Sequence, residues 1–267
     1  MSPWRPWRRR ETTGTNRWLA AYVALVLLFL HLPLLILMAF SFNASRFSVE
    51  WTGFTLAWFR GLADRPDILS GLRNTLVVGV TSTVISTSLG TMLALALSRY
   101  RFRGRRAMES LLYVPLVTPE IVVGISLLVL FAAVGVRLGI ATIVIAHVAF
   151  SISFVTVVVQ ARLAGMDRHL EEAAMTLGAG PWRSFRRVTL PLILPGVVAG
   201  ALLAFTLSFD DYVITSFVAG SGSSTLPVVI YGMVRRNIDP TVNAVSTVVL
   251  LLTTILIYLS DRYARAR

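Results

Sequence analysis

Six apolar stretches, 19–41, 75–97, 111–134, 138–160, 190–209 and 242–260, carry one charged side chain between them, Glu120. About twenty such residues, wound as a helix, cross the roughly 30 Å of hydrocarbon in a bilayer. Few folds tolerate that pattern. With 55% hydrophobic and 14% charged residues, the chain has too little polar surface for a soluble globule of 267 residues. The expectation is an all-α, polytopic membrane protein with six transmembrane helices. A seventh uncharged stretch, Tyr212 to Val234, is broken by GSGSS and a proline, and is read as an external loop with a short helix.

All 25 basic residues are arginines, and they fix the orientation. Cytoplasmic loops retain positive charge during insertion. Eighteen of the 25 fall on one side: Arg5, Arg8, Arg9, Arg10 and Arg17; Arg99, Arg101, Arg103, Arg105 and Arg106; Arg162, Arg168, Arg183, Arg186 and Arg187; and Arg262, Arg265 and Arg267. The other side holds Arg46, Arg60, Arg65, Arg73, Arg137, Arg235 and Arg236. Both termini are therefore expected in the cytoplasm. The division is a cytoplasmic tail (1–18), a six-helix permeation domain (19–260) with a cytoplasmic loop at 162–189, and a second tail (261–267). The first apolar run is too long for a signal peptide and lacks a small-residue cleavage site, so it reads as a retained span. The net charge of +12 sits in short clusters between apolar runs, which argues against a continuous nucleic-acid-binding face. There is no cysteine, and the three histidines, His31, His147 and His169, lack zinc-ligand spacing.

The loop at 162–189 holds the most specific signal. Asp167 can cap a helix over 167–178, Leu170, Ala174 and Leu177 share a face, and Gly178 suits a left-handed C-terminus. Ala173 and Ala174 anchor weakly in lipid but let another backbone come close, so a partner's groove is the better use of that face. The series Glu172-Ala173-Ala174, three residues, Gly178, nine residues, then Val188-Thr189-Leu190-Pro191 resembles the EAA loop of permease subunits in ATP-binding-cassette importers. That family usually has isoleucine at the place of Val188. The resemblance implies a coupling helix, carried by Glu172, Ala173, Ala174, Gly178, Leu190 and Pro191, that inserts into a cleft on an ATPase subunit. Longer segments, LSFDDYVITSFVAG among them, are similar to the second permease of spermidine/putrescine-type importers. This likeness implies a heterodimer with another permease, two copies of a cytoplasmic ATPase, an extracytoplasmic solute-binding protein, and an address in the inner membrane. A phosphate-binding loop needs a lysine, and this chain has none. It is expected to bind no cofactor; ATP and Mg belong to the ATPase. Pro191 and Pro195 are expected to loosen the start of the fifth span.

Charges inside spans are functional candidates. Glu120 follows Pro119 within the third span, and Ser208, Asp210 and Asp211 close the fifth; together such acids suit the spaced ammonium groups of a polyamine. Trp51, with Trp58 and Phe59, can offer aromatic walls to its methylene stems, although tryptophans near span ends also serve as interface anchors. Carriers of opines or phosphonates share the pattern. A secondary transporter would need a complete midplane site, for which the intramembrane charges are too sparse. An intramembrane enzyme would need a serine or histidine paired with an acid, and the sequence gives no defensible pair.

Overall fold

The computed structural model describes residues 17–45, 50–167, 169–236 and 240–265. Most of the arginines of the N-terminal cluster, together with Arg46, Arg168 and Arg267, lie outside that set, as do residues 1–16 of the first expected tail and 266–267 of the second. Among the described residues every element is helical, apart from one antiparallel bridge between Asn43 and Phe54. They fall into two compact units, residues 63–236 and the flanking segments.

In the flanking unit, α1 (Arg17–Phe40) and α2 (Ala57–Gly61) both pack on α12 (Thr241–Arg265). The link from α1 to α2 is organised by Asn43, which is fully buried and donates to the Glu50 carbonyl at 2.7 Å while accepting from the Thr52 amide at 3.0 Å. The Trp58 indole donates to the Asn43 carbonyl at 2.8 Å, and Phe42 stacks between Phe54 and Phe59. Trp58 and Phe59, expected as possible walls for a ligand, hold this loop together instead. Trp51 remains exposed, edge-on to Phe40.

The larger unit is built on α3 (Pro66–Arg99), α6 (Ile140–Ala164) and α9 (Leu190–Phe209), packed pairwise. Helices surrounded by lipid gain little from burying leucine against leucine, so close approach through small residues and dispersion holds them together. The chain follows that rule. Val155 of α6 lies between two glycines: a Cβ on Gly90 of α3 would come within 2.8 Å of its side chain, and one on Gly200 of α9 within 3.3 Å. Near the other end of the α6 and α9 contact, the Arg162 stem lies on Gly196, and its Nε donates to the Leu192 carbonyl at 3.0 Å.

Three expectations are corrected here. The stretch 111–134 is two helices, α4 (Arg105–Val117) and α5 (Glu120–Ala133), bent by 112°. Pro119 disfavours helical geometry at the residue before it, and Thr118 duly takes φ −79°, ψ 131°. The stretch 75–97 is the inner part of a longer helix starting at Pro66, whose fixed φ suits a first helical position. The uncharged stretch 212–234 contains two helices, α10 (Val213–Val218), packed on α5 and α6, and α11 (Leu226–Arg236), packed on α3. Among the described residues four continuous helical runs are long and apolar enough to cross a membrane, five if the bent pair is one span, against the six expected.

Candidate functional site

The cytoplasmic-loop candidate folds as α7 (His169–Thr176) followed by α8 (Pro181–Ser184) and a π-helical turn at Phe185–Thr189 that runs directly into α9. Part of what reads as loop is thus the first turns of a span. The helix start is held by Asp167, whose carboxylate accepts from the His169 amide at 3.0 Å. Its end is a Schellman motif: Gly178 has φ +86°, its amide donates to the Met175 carbonyl at 2.9 Å, and the Ala179 amide donates to the Ala174 carbonyl at 3.0 Å. That closure leaves one face bare. Glu172 and Leu177 are 67% and 88% exposed, Ala173 and Gly178 are exposed, and a Cβ on Gly178 would meet nothing of this chain within 4 Å. Beside that face a hollow of about 290 Å³ is lined by Ala174, Gly178, Arg183 and Arg187. The π turn has a local cause. The Pro191 ring crowds the carbonyl four residues back, and a wider preceding turn, in which the Leu190 amide reaches the Phe185 carbonyl, makes room for it.

The acids lie elsewhere in the same unit. Glu120 is the first residue of α5, exposed, where the positive end of the helix dipole favours a carboxylate. Asp210 is exposed at the C-terminus of α9, where the dipole opposes it. Asp211 differs from its neighbour. Its side chain is 8% exposed and caps α10, accepting from the amides of Ile214 at 3.2 Å and Thr215 at 2.8 Å, and from the Thr215 hydroxyl at 2.7 Å. Gly124, one turn into the helix that Glu120 begins, lies against Ile214 and Phe217 of the helix that Asp211 caps, so the fold gathers Glu120, Asp210 and Asp211 where α5, α9 and α10 meet.

Behind them runs a buried polar chain that residue spacing alone does not reveal. His147 of α6, 2% exposed, contacts Ser208 through Nδ1 at 2.6 Å and Asp211 through Nε2 at 3.2 Å, and Ser208 contacts Ser82 of α3 at 3.1 Å. The sequence offers no defensible pairing of a serine or histidine with an acid, and the fold supplies one in His147 and Asp211. Ser208 is itself 4% exposed, so its hydroxyl meets neighbouring helices, and the chain ties α3, α6, α9 and α10 together. The signal available in the sequence was a titratable group inside a span, to which the rule for such groups applies. A second hollow, about 530 Å³, is lined by Asp67, Tyr212, Tyr231 and Arg235, with the two tyrosine rings 4.3 Å apart. Arg65 holds Asp67 at 2.9 Å and Arg235 stands on the rim, so this hollow suits a cation less well than the Glu120 and Asp210 pair.

A family model described as "Binding-protein-dependent transport system inner membrane component" matches residues 86–267. The spermidine/putrescine transport system permease protein PotC of Escherichia coli (strain K12) is 40% identical over 244 residues, covering 91% of this chain and 92% of that protein. The putrescine permease PotI of the same strain is 39% identical over 240 residues, 87% of this chain and 85% of its own length. Among solved structures, a bacterial ABC transporter importing the polysaccharide alginate superposes with TM-score 0.74 at 17% identity, over 97% of this chain and 99% of that one. The MetNI methionine ABC transporter does so with TM-score 0.61 at 21% identity, over 80% and 99%.

Proposed function

Since the chain belongs to the family of inner membrane components of binding-protein-dependent transport systems, a transport component and not an enzyme, we propose that it carries a polyamine as one permease subunit of an ATP-binding-cassette importer. The observation that carries the cargo assignment is the cluster of Glu120, Asp210 and Asp211. Carboxylates gathered where α5, α9 and α10 meet repel one another, and a molecule with spaced ammonium groups relieves that repulsion. Glu120 and Asp210 face the cargo; Asp211, with Ser208 behind it, contributes its field from within the fold. Trp51, in the flanking unit, is a separate candidate, with an exposed aromatic face on which an ammonium can rest.

In this reading six spans place both termini in the cytoplasm, with α4 and α5 jointly forming the third and α12 the sixth. A second permease completes the pathway, a solute-binding protein delivers cargo from outside, and two ATPase copies bind ATP and Mg. This chain contributes the docking face: Glu172, Ala173, Ala174 and Gly178, carried on the run that enters α9 at Leu190 and Pro191. The test is uptake by the reconstituted complex, using labelled spermidine, putrescine, an opine and an aminophosphonate. Polyamine uptake that needs both ATP and the binding protein is expected. Uptake of only the opine or the aminophosphonate would refute the cargo, and uptake indifferent to ATP would favour a secondary transporter.

A further inference from the structure

Glu171 and Glu172 are neighbours with opposite fates. Glu172 points away from the fold, 67% exposed, toward the face assigned to the ATPase. Glu171 turns inward, and its side chain is 17% exposed. Its Oε1 accepts from Arg99 Nη2 at 2.5 Å and from the Thr189 hydroxyl at 2.6 Å. Arg99 is the last residue of α3, and Thr189 is the last residue of the π turn that becomes α9. One carboxylate oxygen therefore joins α7 to the ends of two of the three helices that build the larger unit. Around it the packing is open: a hollow of about 470 Å³ is lined by Leu95, Tyr100, Met175, Trp182 and Phe185. A soft apolar contact would let α7 slide over that hollow. A charge-assisted contact of fixed length carries the displacement to both helices.

We propose that Glu171 is a positioning residue for energy coupling, a strut through which movement of α7 reaches α3 and α9 together. The inference rests on the reading of α7 as the ATPase docking helix. It goes beyond it, because Glu171 touches the spans and not the docking face. The strut has a built-in sensitivity: loss of the Thr189 hydroxyl cuts the arm to α9 while leaving the arm to α3.

The test uses the full complex in proteoliposomes and reads three quantities: retention of the ATPase on the purified permease, ATP hydrolysis, and spermidine transported per ATP hydrolysed. Glu171→Ala and Arg99→Ala are expected to keep the ATPase bound and hydrolysing while transport per ATP falls roughly tenfold or more, the size of a lost charge-assisted bond. Thr189→Val, nearly isosteric, is expected to lower the same ratio by a smaller factor, and Thr189→Ser to restore it. The valine variant keeps the proposal testable if either alanine variant fails to insert. Normal transport per ATP in Glu171→Ala or in Thr189→Val, with Gly178→Arg uncoupled in parallel, overturns the strut and leaves the docking face standing. Loss of the ATPase from Glu171→Ala overturns it too, since the residue would then belong to the docking face. If Gly178→Arg also couples normally, the docking reading itself fails.

Discussion

Asp210 and Asp211 look interchangeable in the sequence, yet one offers its carboxylate outward and the other spends it on three internal donors and a histidine contact. Replacing Asp211 with asparagine leaves a single side-chain oxygen for the Ile214 and Thr215 amides, the Thr215 hydroxyl and the His147 contact. The expected cost is about 1–3 kcal/mol, read as a lower unfolding temperature of the purified protein in detergent. Asp210→Asn and Glu120→Gln have no such internal bonds to lose. By relieving the repulsion among the carboxylates they are expected to hold or raise that temperature, and to lower polyamine uptake roughly tenfold or more at equal membrane expression. Uptake unaffected by both would remove the acids from the pathway; an unshifted unfolding temperature in Asp211→Asn would contradict the capping account. That acids cluster near the end of the fifth span was legible from residue type alone. Which aspartate turns inward was not. Its partner His147 lies 64 residues away, and their meeting depends on the rotation of α6 against α9, which no local pattern encodes.

Elements were legible where a boundary has a chemical marker. The far end of the run 190–209 matches the end of α9, where the charged Asp210 follows, whereas the helical run itself starts earlier, at Pro181; the end of α7 was readable because Gly178 there accepts a left-handed φ. Hydropathy does not register a bend, so the break at Thr118 and Pro119 was invisible to it. The arginine-rich 181–189 reads as loop for a similar reason: positive charge predicts the side of the membrane and says nothing of helicity. At Gly178, arginine adds strain of roughly 1–2 kcal/mol from the left-handed backbone, plus bulk that meets nothing in this chain. Substrate-stimulated ATP hydrolysis should therefore collapse in Gly178→Arg while insertion persists. Gly178→Asn, which tolerates that backbone, should lose less. Equal losses would contradict an account by bulk against a partner's surface, since asparagine is much the smaller side chain. At Gly90, a valine would drive its Cβ against Val155 and the Ile152 carbonyl, 2.8 and 3.1 Å away. Gly90→Val is expected to accumulate poorly in membranes, and a second change, Val155→Ala, to recover part of the yield. Full yield from the single variant would show that α3 and α6 can separate there.

For the molecule as a whole, the arginine distribution and the proposed six spans make one joint claim. Reporter fusions after residues 105, 180 and 267 should read cytoplasm, and those after 60 and 225 the outside; an outside reading at 267 would exclude six spans. The overall class, helical and membrane-embedded, was open to view in the sequence because apolar runs of this length have few other uses. The bent pair carries a consequence for biosynthesis. Helix α5 has 14 residues and α4 has 13, with Arg105, Arg106 and Glu109 among the latter, whereas about 20 apolar residues are needed to enter lipid unaided. Neither half satisfies an insertion channel alone. The 25-residue α6, made afterwards, does. In the proposed six-span arrangement the third crossing then waits at the channel or at the bilayer surface until α6 and α10, against which α5 packs, have emerged from the ribosome. In a glycosylation-reporter host, residues 105–134 alone should insert inefficiently and residues 140–164 efficiently, and extending the first segment through residue 218 should rescue its integration.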